Sequence, residues 1–288
     1  MLNACNLDEM KPLLTQYGFH FSKAKGQNFL IKSWVPAQIA EQAGVDSEAA
    51  VLEIGPGVGS LTQQLCLRAK KVVAVELDFT LKPILAQTMA DFDNLTLLFD
   101  NILKTDLPAL VHEQFGSLRP MACANLPYYI TSPILTLLLE SRLFSSVTVM
   151  VQKEVAQRIC AKAGSADYSA FSVFCNYYAQ PELLFDVSPD CFLPQPKVTS
   201  SVITLKTRQS PVCEIANEKL FFKVVRASFA MRRKTLVNGL QAGFPQLGKE
   251  ALTQIVTDCG YPASVRGETL DIAGFAAIAN EMDRRKNV

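Results

Sequence analysis

No run in the 288-residue sequence approaches the roughly 18 consecutive apolar residues of a membrane-spanning helix. The opening MLNACNLDEM carries Asp8 and Glu9 where a signal peptide would be basic, so a cytoplasmic protein with no membrane partner is expected. Histidine is scarce: His20 and His112 are too few and too far apart for a histidine metal site. The eight cysteines are scattered with a closest spacing of fifteen, which suggests neither a zinc pair nor a compact disulfide framework. Buried thiols and no metal are the expectation. Charge is sparse as well, at 19% of residues, and 28 Lys+Arg against 27 Asp+Glu leave a net +1. That balance excludes a uniformly basic nucleic-acid binder and an acidic-tail protein, but not a local patch. No internal repeat or low-complexity tract is evident.

What is present is apolar. At 49% hydrophobic the chain can bury a sizeable core, and its length allows one large domain or two ordinary ones. Residues 1–209 hold 17 basic and 19 acidic side chains, whereas residues 210–288 hold 11 and 8. The basic surplus therefore sits in the C-terminal part.

Through the first half, short β-rich runs alternate with helical patterns, the order expected of a parallel sheet covered on both faces. The runs at 51–54, 72–76, 95–98, 121–125 and 147–151 read as strands. Ser60–Ala69, Leu81–Ala90, Leu107–Phe115 and Ser132–Ser141 read as helices. From Leu183 to Thr207, LLFDV, the proline-broken CFLPQPKV and the alternating SSVITLK predict an antiparallel hairpin that finishes the sheet. From Ala216 to Asn280 the periodicity is helical, with Gly239, Gly243, Gly248 and Gly260 expected as breaks.

The first strand runs into Gly55-Pro56-Gly57-Val58-Gly59, with Ser60 expected to cap the next helix. A glycine loop alone is also compatible with a ligand-free βα turn. The spacing G-x-G-x-G departs from the dinucleotide pattern G-x-G-x-x-G, which favours a cofactor without a pyrophosphate. Glu76 ends the second strand, where a carboxylate can accept from both hydroxyls of a ribose. Asp78 competes for that role but lies beyond the strand end, as a solvated loop charge would. Asp100 ends the third strand; by itself it would more often be a helix cap, but third in this series it is a candidate acceptor for an adenine amino group. Adenosine recognition without pyrophosphate points to S-adenosyl-L-methionine.

The fourth strand ends in Asn125-Leu126-Pro127-Tyr128-Tyr129-Ile130-Thr131, at the edge where open α/β sheets place ligands. The Asn125 oxygen and the Leu126 carbonyl can accept both hydrogens of an amino group on a planar base, and Tyr128 can stack on its face. Accepting both hydrogens draws the nitrogen lone pair out of conjugation and makes it nucleophilic toward a sulfonium methyl. The alternative is a proline-stiffened turn whose tyrosines plug the core.

The run Gly26-Gln27-Asn28-Phe29-Leu30, VLEIGPGVGSLT, Glu76, Asp100, NLPYYIT, QKEV at 152–155, PQPKV and MRRKTL at 231–236 occur in an order that resembles the KsgA family of ribosomal RNA adenine dimethyltransferases. The resemblance runs from about residue 20 to the end. It implies a Rossmann-like S-adenosylmethionine-dependent methyltransferase sheet of seven mostly parallel strands over residues 1–209, with a small helical C-terminal domain at 210–288. It further implies dimethylation at N6 of two adjacent adenosines in the 3′-terminal hairpin of small-subunit (16S) rRNA, with the small ribosomal subunit as partner and no protein partner evident. By the same resemblance Asn28 and Leu30 close over the cofactor, Gly55 contacts it, Glu76 holds its ribose, Asp100 its adenine, and Asn125 bridges cofactor and substrate. Phe192 matches an aromatic on the other face of the target base, although an ordinary core phenylalanine is nearly as compatible. Ser169 stands where the family commonly has glycine, and Thr199 where aspartate is common. Residues 1–19 carry no motif of this set and are expected to be a mobile extension.

Lys223, Arg226, Arg232, Arg233 and Lys234 place five positive and no negative charges in twelve residues, the candidate phosphate-contacting surface. Arg226 and Arg233, seven apart, are expected on one helical face, with Phe222 and Phe229 anchoring the helix. A solvated helix face is the plainer reading of such a run. Competing functions are a large-subunit rRNA dimethyltransferase of the erythromycin-resistance type, a nucleic-acid-binding factor retaining the fold, and a nicotinamide dehydrogenase, which the glycine spacing disfavours.

Overall fold

The structure, a computed structural model, describes residues 2–22 and 25–286. In chain order they form α1 (Leu7–Gln16), β1 (Phe29–Leu30), α2 (Trp34–Gln42), β2 (Ala49–Ile54), α3 (Ser60–Cys66), β3 (Lys71–Glu76), α4 (Lys82–Thr88) and β4 (Leu95–Phe99). There follow α5 (Leu107–Phe115), β5 (Arg119–Asn125), α6 (Thr131–Ser141), β6 (Ser146–Gln152), α7 (Lys153–Cys160), α8 (Ala170–Tyr178), β7 (Ala179–Val187), β8 (Phe192–Leu193) and β9 (Ser200–Thr207). The chain continues through α9 (Glu218–Ala230), α10 (Leu236–Gly243), α11 (Lys249–Asp258) and α12 (Ile272–Lys286). No helix among the described residues is long and apolar enough to cross a membrane.

β2 is buried at all six positions and β3 at all but Lys71, the pattern of strands covered on both faces. They lie in a seven-stranded sheet of order β4-β3-β2-β5-β6-β9-β7. The β2–β3, β3–β4, β2–β5 and β5–β6 pairs are parallel, and β9 is antiparallel to β6. The chain leaves β2 toward β3 and leaves its other neighbour β5 toward β6, so the connections diverge there. Their carboxyl ends flank the crevice where open α/β sheets bind ligands. A second, two-stranded sheet pairs Phe29 with Leu193 and Leu30 with Phe192.

The chain divides into two compact units, Met1–Ala156 with Glu182–Thr207, and Gln157–Pro181 with Arg208–Val288. Residues 157–181, expected in the first domain, therefore belong with the helices. The reason is aromatic: Phe174 and Tyr178 of α8 lie 5.6 and 5.9 Å from the Phe222 ring of α9. The Tyr177 and Tyr178 hydroxyls both donate to Glu218, at 2.9 and 2.6 Å. Ser169, the departure from the family's glycine, caps α8 by accepting from Ser172 N.

Two further expectations are corrected. The N-terminal segment is integrated: Met10, Leu13 and Leu14 of α1 enter the hydrophobic core, and Ala4 and Cys5 are buried. The Gln63 side chain accepts from Ala4 N at 3.2 Å and donates to Leu2 O at 2.6 Å. Gly239 does not break a helix but lies within α10, whose last residue is Gly243, because that helix crosses α9 closely. A Cβ at Gly239 would meet the Ala227 carbonyl oxygen at 2.7 Å, and one at Gly243 the Ala227 Cβ at 2.5 Å. Gly248 does cap α11, and Gly260, at φ +84°, follows its end.

Candidate active site

At the carboxyl edge of the sheet lies a cleft of about 1040 Å³, open to solvent and contained within the first unit. Its floor is the glycine loop after β2. Gly55, Gly57 and Gly59 adopt φ of +69°, +60° and +95°, a region that side-chain-bearing residues rarely enter. A Cβ at Gly55 would meet nothing within 4 Å, so that backbone faces open space; one at Gly57 would press on the Phe29 ring at 3.0 Å. Gly59, not Ser60, is the N-cap of α3. The Ser60 hydroxyl instead donates to the carbonyls of Ala4 and Leu30, at 3.0 and 3.1 Å, tying α3 to the N-terminal segment and β1.

Glu76 ends β3 and is 7% exposed. Its Oε1 accepts from Asp78 N at 2.8 Å and its Oε2 from Gly57 N at 3.1 Å, which fixes the carboxylate against the glycine loop. Burial raises its pKa, opposed by these backbone donors. Asp100 follows β4 at the cleft wall, where its Oδ1 accepts from Asn101 N at 2.7 Å. Asn101, not Asp100, caps the short turn that follows, by accepting from Leu103 N.

Asn125 ends β5, and its Nδ2 donates to the Asn28 carbonyl at 3.1 Å. That bond sets the amide orientation and leaves Oδ1 as the acceptor. Leu126, Pro127 and Tyr128 continue along the cleft, and the Tyr128 hydroxyl is 2.6 Å from Ser200 Oγ at the start of β9. Burial raises the Tyr128 phenol pKa, which keeps the ring neutral. Asn28, Leu30, Gly55, Glu76, Asp100 and Asn125, spread over nearly a hundred residues of sequence, thus line one cleft.

Phe192 does not join them. It is 3% exposed, packed in the hydrophobic core opposite Leu30, and is not part of the cleft lining. β8, which carries it, pairs with β1, so the ring lies beside the segment that borders the cleft rather than on the cleft's lining. The expectation of a solvated charge at Asp78 is also corrected: it is 4% exposed and accepts from Gln27 Nε2 at 2.7 Å. The signal in the sequence is Lys25 and Gln27 beside Asn28, polar groups in need of a partner.

The basic cluster belongs to the second unit. Lys223, Arg226, Arg232, Arg233 and Lys234 are all exposed. However, α9 ends at Ala230 and Met231 turns away at φ −130°, ψ 63°, so Arg226 and Arg233 do not share a helix. Lys223 Nζ sits 4.4 Å from the Phe244 ring centre, and Arg232 donates to the Ala166 carbonyl at 2.7 Å. Phe222 and Phe229 do anchor α9, the latter against Tyr168 and Phe275.

The glycine floor, the buried carboxylate beside it and the open space above Gly55 fit an adenosine-bearing sulfonium cofactor. A family model described as ribosomal RNA adenine dimethylase matches residues 18–277. "Ribosomal RNA small subunit methyltransferase A" of Geobacillus thermodenitrificans is 46% identical over 277 residues, 94% of each chain. The protein of the same name from Bacillus cereus strain B4264 is 47% identical over the same shares. Among solved structures, a dimethyladenosine transferase from Plasmodium falciparum superposes with TM-score 0.74 at 24% identity, covering 89% of this chain and 98% of that one. The 23S rRNA methyltransferase ErmE superposes at 0.68 and 24%, covering 89% and 100%, which like the former speaks to fold. On its sequence, fold and cleft, the chain belongs to the ribosomal RNA adenine dimethylase family.

Proposed function

We propose that this protein transfers methyl groups from S-adenosyl-L-methionine to N6 of two adjacent adenosines in the 3′-terminal hairpin of small-subunit (16S) rRNA, dimethylating each during ribosome biogenesis in the cytoplasm. The observation that carries the reading is the Asn125 amide, anchored by Asn28 beside Tyr128 and above the glycine floor. The choice of the small subunit is supported by the names of the relatives matched over 94% of the chain.

Asn28, Leu30, Gly55, Glu76, Asp100 and Asn125 hold the cofactor in this reading: Glu76 accepts from the ribose hydroxyls and Asp100 from the adenine amine. When bound, S-adenosyl-L-methionine supplies a methyl group on a positively charged sulfur. A target adenosine, out of its helix, stacks on Tyr128. Asn125 Oδ1 and the Leu126 carbonyl accept its two amine hydrogens, and Pro127 keeps that carbonyl in place. Localising the nitrogen lone pair in this way removes the need for a strong general base, because the nitrogen would become cationic on taking up the methyl and would then release one of its protons readily to solvent at the open cleft. After one transfer a single N–H remains, and either acceptor suffices to hold it for the second. Arg226, Arg233 and Lys234, with Lys223 and Arg232 partly engaged within the protein, make position-holding phosphate contacts.

The test is incubation with labelled S-adenosyl-L-methionine and separated ribosomal subunits lacking the modification, followed by digestion to nucleosides. Label in N6,N6-dimethyladenosine from the small subunit is expected. Label in large-subunit RNA would favour the erythromycin-resistance reaction, and cofactor binding without transfer would favour a binding factor.

A further inference from the structure

Asp78 belongs to none of the roles assigned above, yet few polar side chains in the cleft are held by more partners. Its Oδ1 accepts from Lys25 Nζ at 2.8 Å, from Thr80 N at 3.2 Å and from Thr80 Oγ1 at 2.7 Å, while Oδ2 accepts from Gln27 Nε2 at 2.7 Å. Its backbone N–H donates to Glu76 Oε1. Burial alone would raise the carboxyl pKa, but Lys25, Thr80 and Gln27 outweigh it and hold the group below its usual value. The side chain is 5% exposed, so the ion pair with Lys25 is shielded on the acid's side and open on the lysine's.

The other end of this network is the segment 25–30, every residue of which lines the cleft. Gly26 lies against Pro127 and Tyr129: a Cβ there would come within 3.4 Å of both. The Asn28 carbonyl accepts from Asn125, and β1 is fastened to β8. One continuous chain of hydrogen bonds and covalent links therefore runs from the ribose-facing Glu76 through Asp78, Gln27 and Asn28 to Asn125.

We propose that Asp78 is a positioning residue that latches segment 25–30 over the cleft, so that cofactor retention and the orientation of the Asn125 amide depend on one carboxylate. The inference deepens the methyltransferase reading and rests on it. Asp78 touches neither cofactor nor base in this account; it acts through the segment it holds.

Reversing the Asp78–Gln27 hydrogen bond separates a latch from general stabilisation. Gln27→Glu alone sets two carboxylates against each other, and Asp78→Asn alone removes the charge facing Lys25 and, with its N–H toward Gln27, sets two amide donors together. In the double variant the amide introduced at position 78 would donate its N–H to the carboxylate introduced at position 27. The amide oxygen at position 78 would still accept from Thr80, and position 27 would still accept from Ser22 N, as Gln27 Oε1 does at 2.8 Å. The measurement is release of labelled S-adenosyl-L-methionine from the full-length protein, with single-turnover methyl transfer to small subunits in parallel. Each single variant is expected to release cofactor roughly tenfold faster, the weight of a lost hydrogen bond to a charged group, and to slow transfer without changing subunit affinity. The double variant is expected to return to within about twofold of the parent. Lys25→Met, at a partly exposed position, should give a smaller acceleration in the same direction. Unchanged release in Gln27→Glu and Lys25→Met, or no recovery in a folded double variant, would overturn the latch. A parent protein that retains no S-adenosyl-L-methionine would instead overturn the functional reading beneath it.

Discussion

The sheet unit and the helical unit carry their polar groups in opposite ways. In the sheet unit the cleft's Glu76 and Asp78 are buried and Asn125 is half-buried, each individually fixed: Glu76 between two backbone donors, Asp78 among Lys25, Gln27 and Thr80, Asn125 on the Asn28 carbonyl. In the helical unit Arg226, Arg233 and Lys234 stand exposed, and Lys223 and Arg232 are partly engaged by Phe244 and Ala166. A preset buried group acts at one place on one developing charge, so its loss is not shared. An exposed charge adds to a field that neighbours also supply, so its loss is diluted. Function in the first unit should therefore fail abruptly, and in the second gradually.

The contrast breaks first if Asn125 is dispensable. Asn125→Ala should lower single-turnover transfer by on the order of 100-fold or more, comparable to removing one group that stabilises a transition state, with subunit affinity little changed. Glu76→Ala should weaken cofactor binding by about 1.5–3 kcal/mol, read by calorimetry on protein whose circular dichroism is unaltered. Equal affinity in a folded variant would remove Glu76 from the site.

A buried carboxyl with one oxygen left unpaired sharpens the same contrast through pH. Glu53 in β2 is 1% exposed, its Oε2 has no hydrogen-bond partner, and burial pushes its pKa up from 4.5 to about 8. Because the folded state keeps a proton that the unfolded state loses, the associated stability is full below pH 4.5 and drains as pH rises toward 8. The slope across that window is up to about 1.4 kcal/mol per pH unit. Glu53→Gln should flatten it in denaturant melts between pH 5 and 9, and parallel curves would show that Glu53 titrates alike in both states. The smallest effect belongs to the helical unit. Arg226→Glu with Arg233→Glu should weaken subunit binding and flatten the slope of log affinity against log salt by roughly 0.7–0.9 per lost phosphate contact.

How far each unit is legible in the sequence follows from where its information lies. Buried parallel strands read as continuous apolar runs, and their carboxyl ends are where ligands sit, so Gly55, Glu76, Asp100 and Asn125 can be picked as cleft-lining residues from position alone. Asp78 cannot, because its partner Gln27 lies 51 residues upstream and nothing local distinguishes it from a loop charge. The N-terminal segment is misread for the same reason: Ala4 is held by Ser60, 56 residues away. In the helical unit, α9 stops at Ala230 with neither glycine nor proline in the following MRRKTL, so periodicity overruns the true end and places Arg226 and Arg233 on a common face. Phe192 sits in a proline-broken segment, where core and base-stacking aromatics look alike in sequence, and its burial and its pairing with Leu30 come from residues about 160 positions upstream.

The most direct test of the account measures small-subunit affinity across salt concentrations and single-turnover methyl transfer, side by side, for the parent, for Asn125→Ala and for the Arg226→Glu, Arg233→Glu double variant. Complementary losses are expected: Asn125→Ala binds subunits as the parent does but barely transfers, while the arginine variant binds weakly with a flatter salt slope and transfers at the parental rate once saturated. Loss of both quantities together in either variant, or parental transfer by Asn125→Ala, would contradict this.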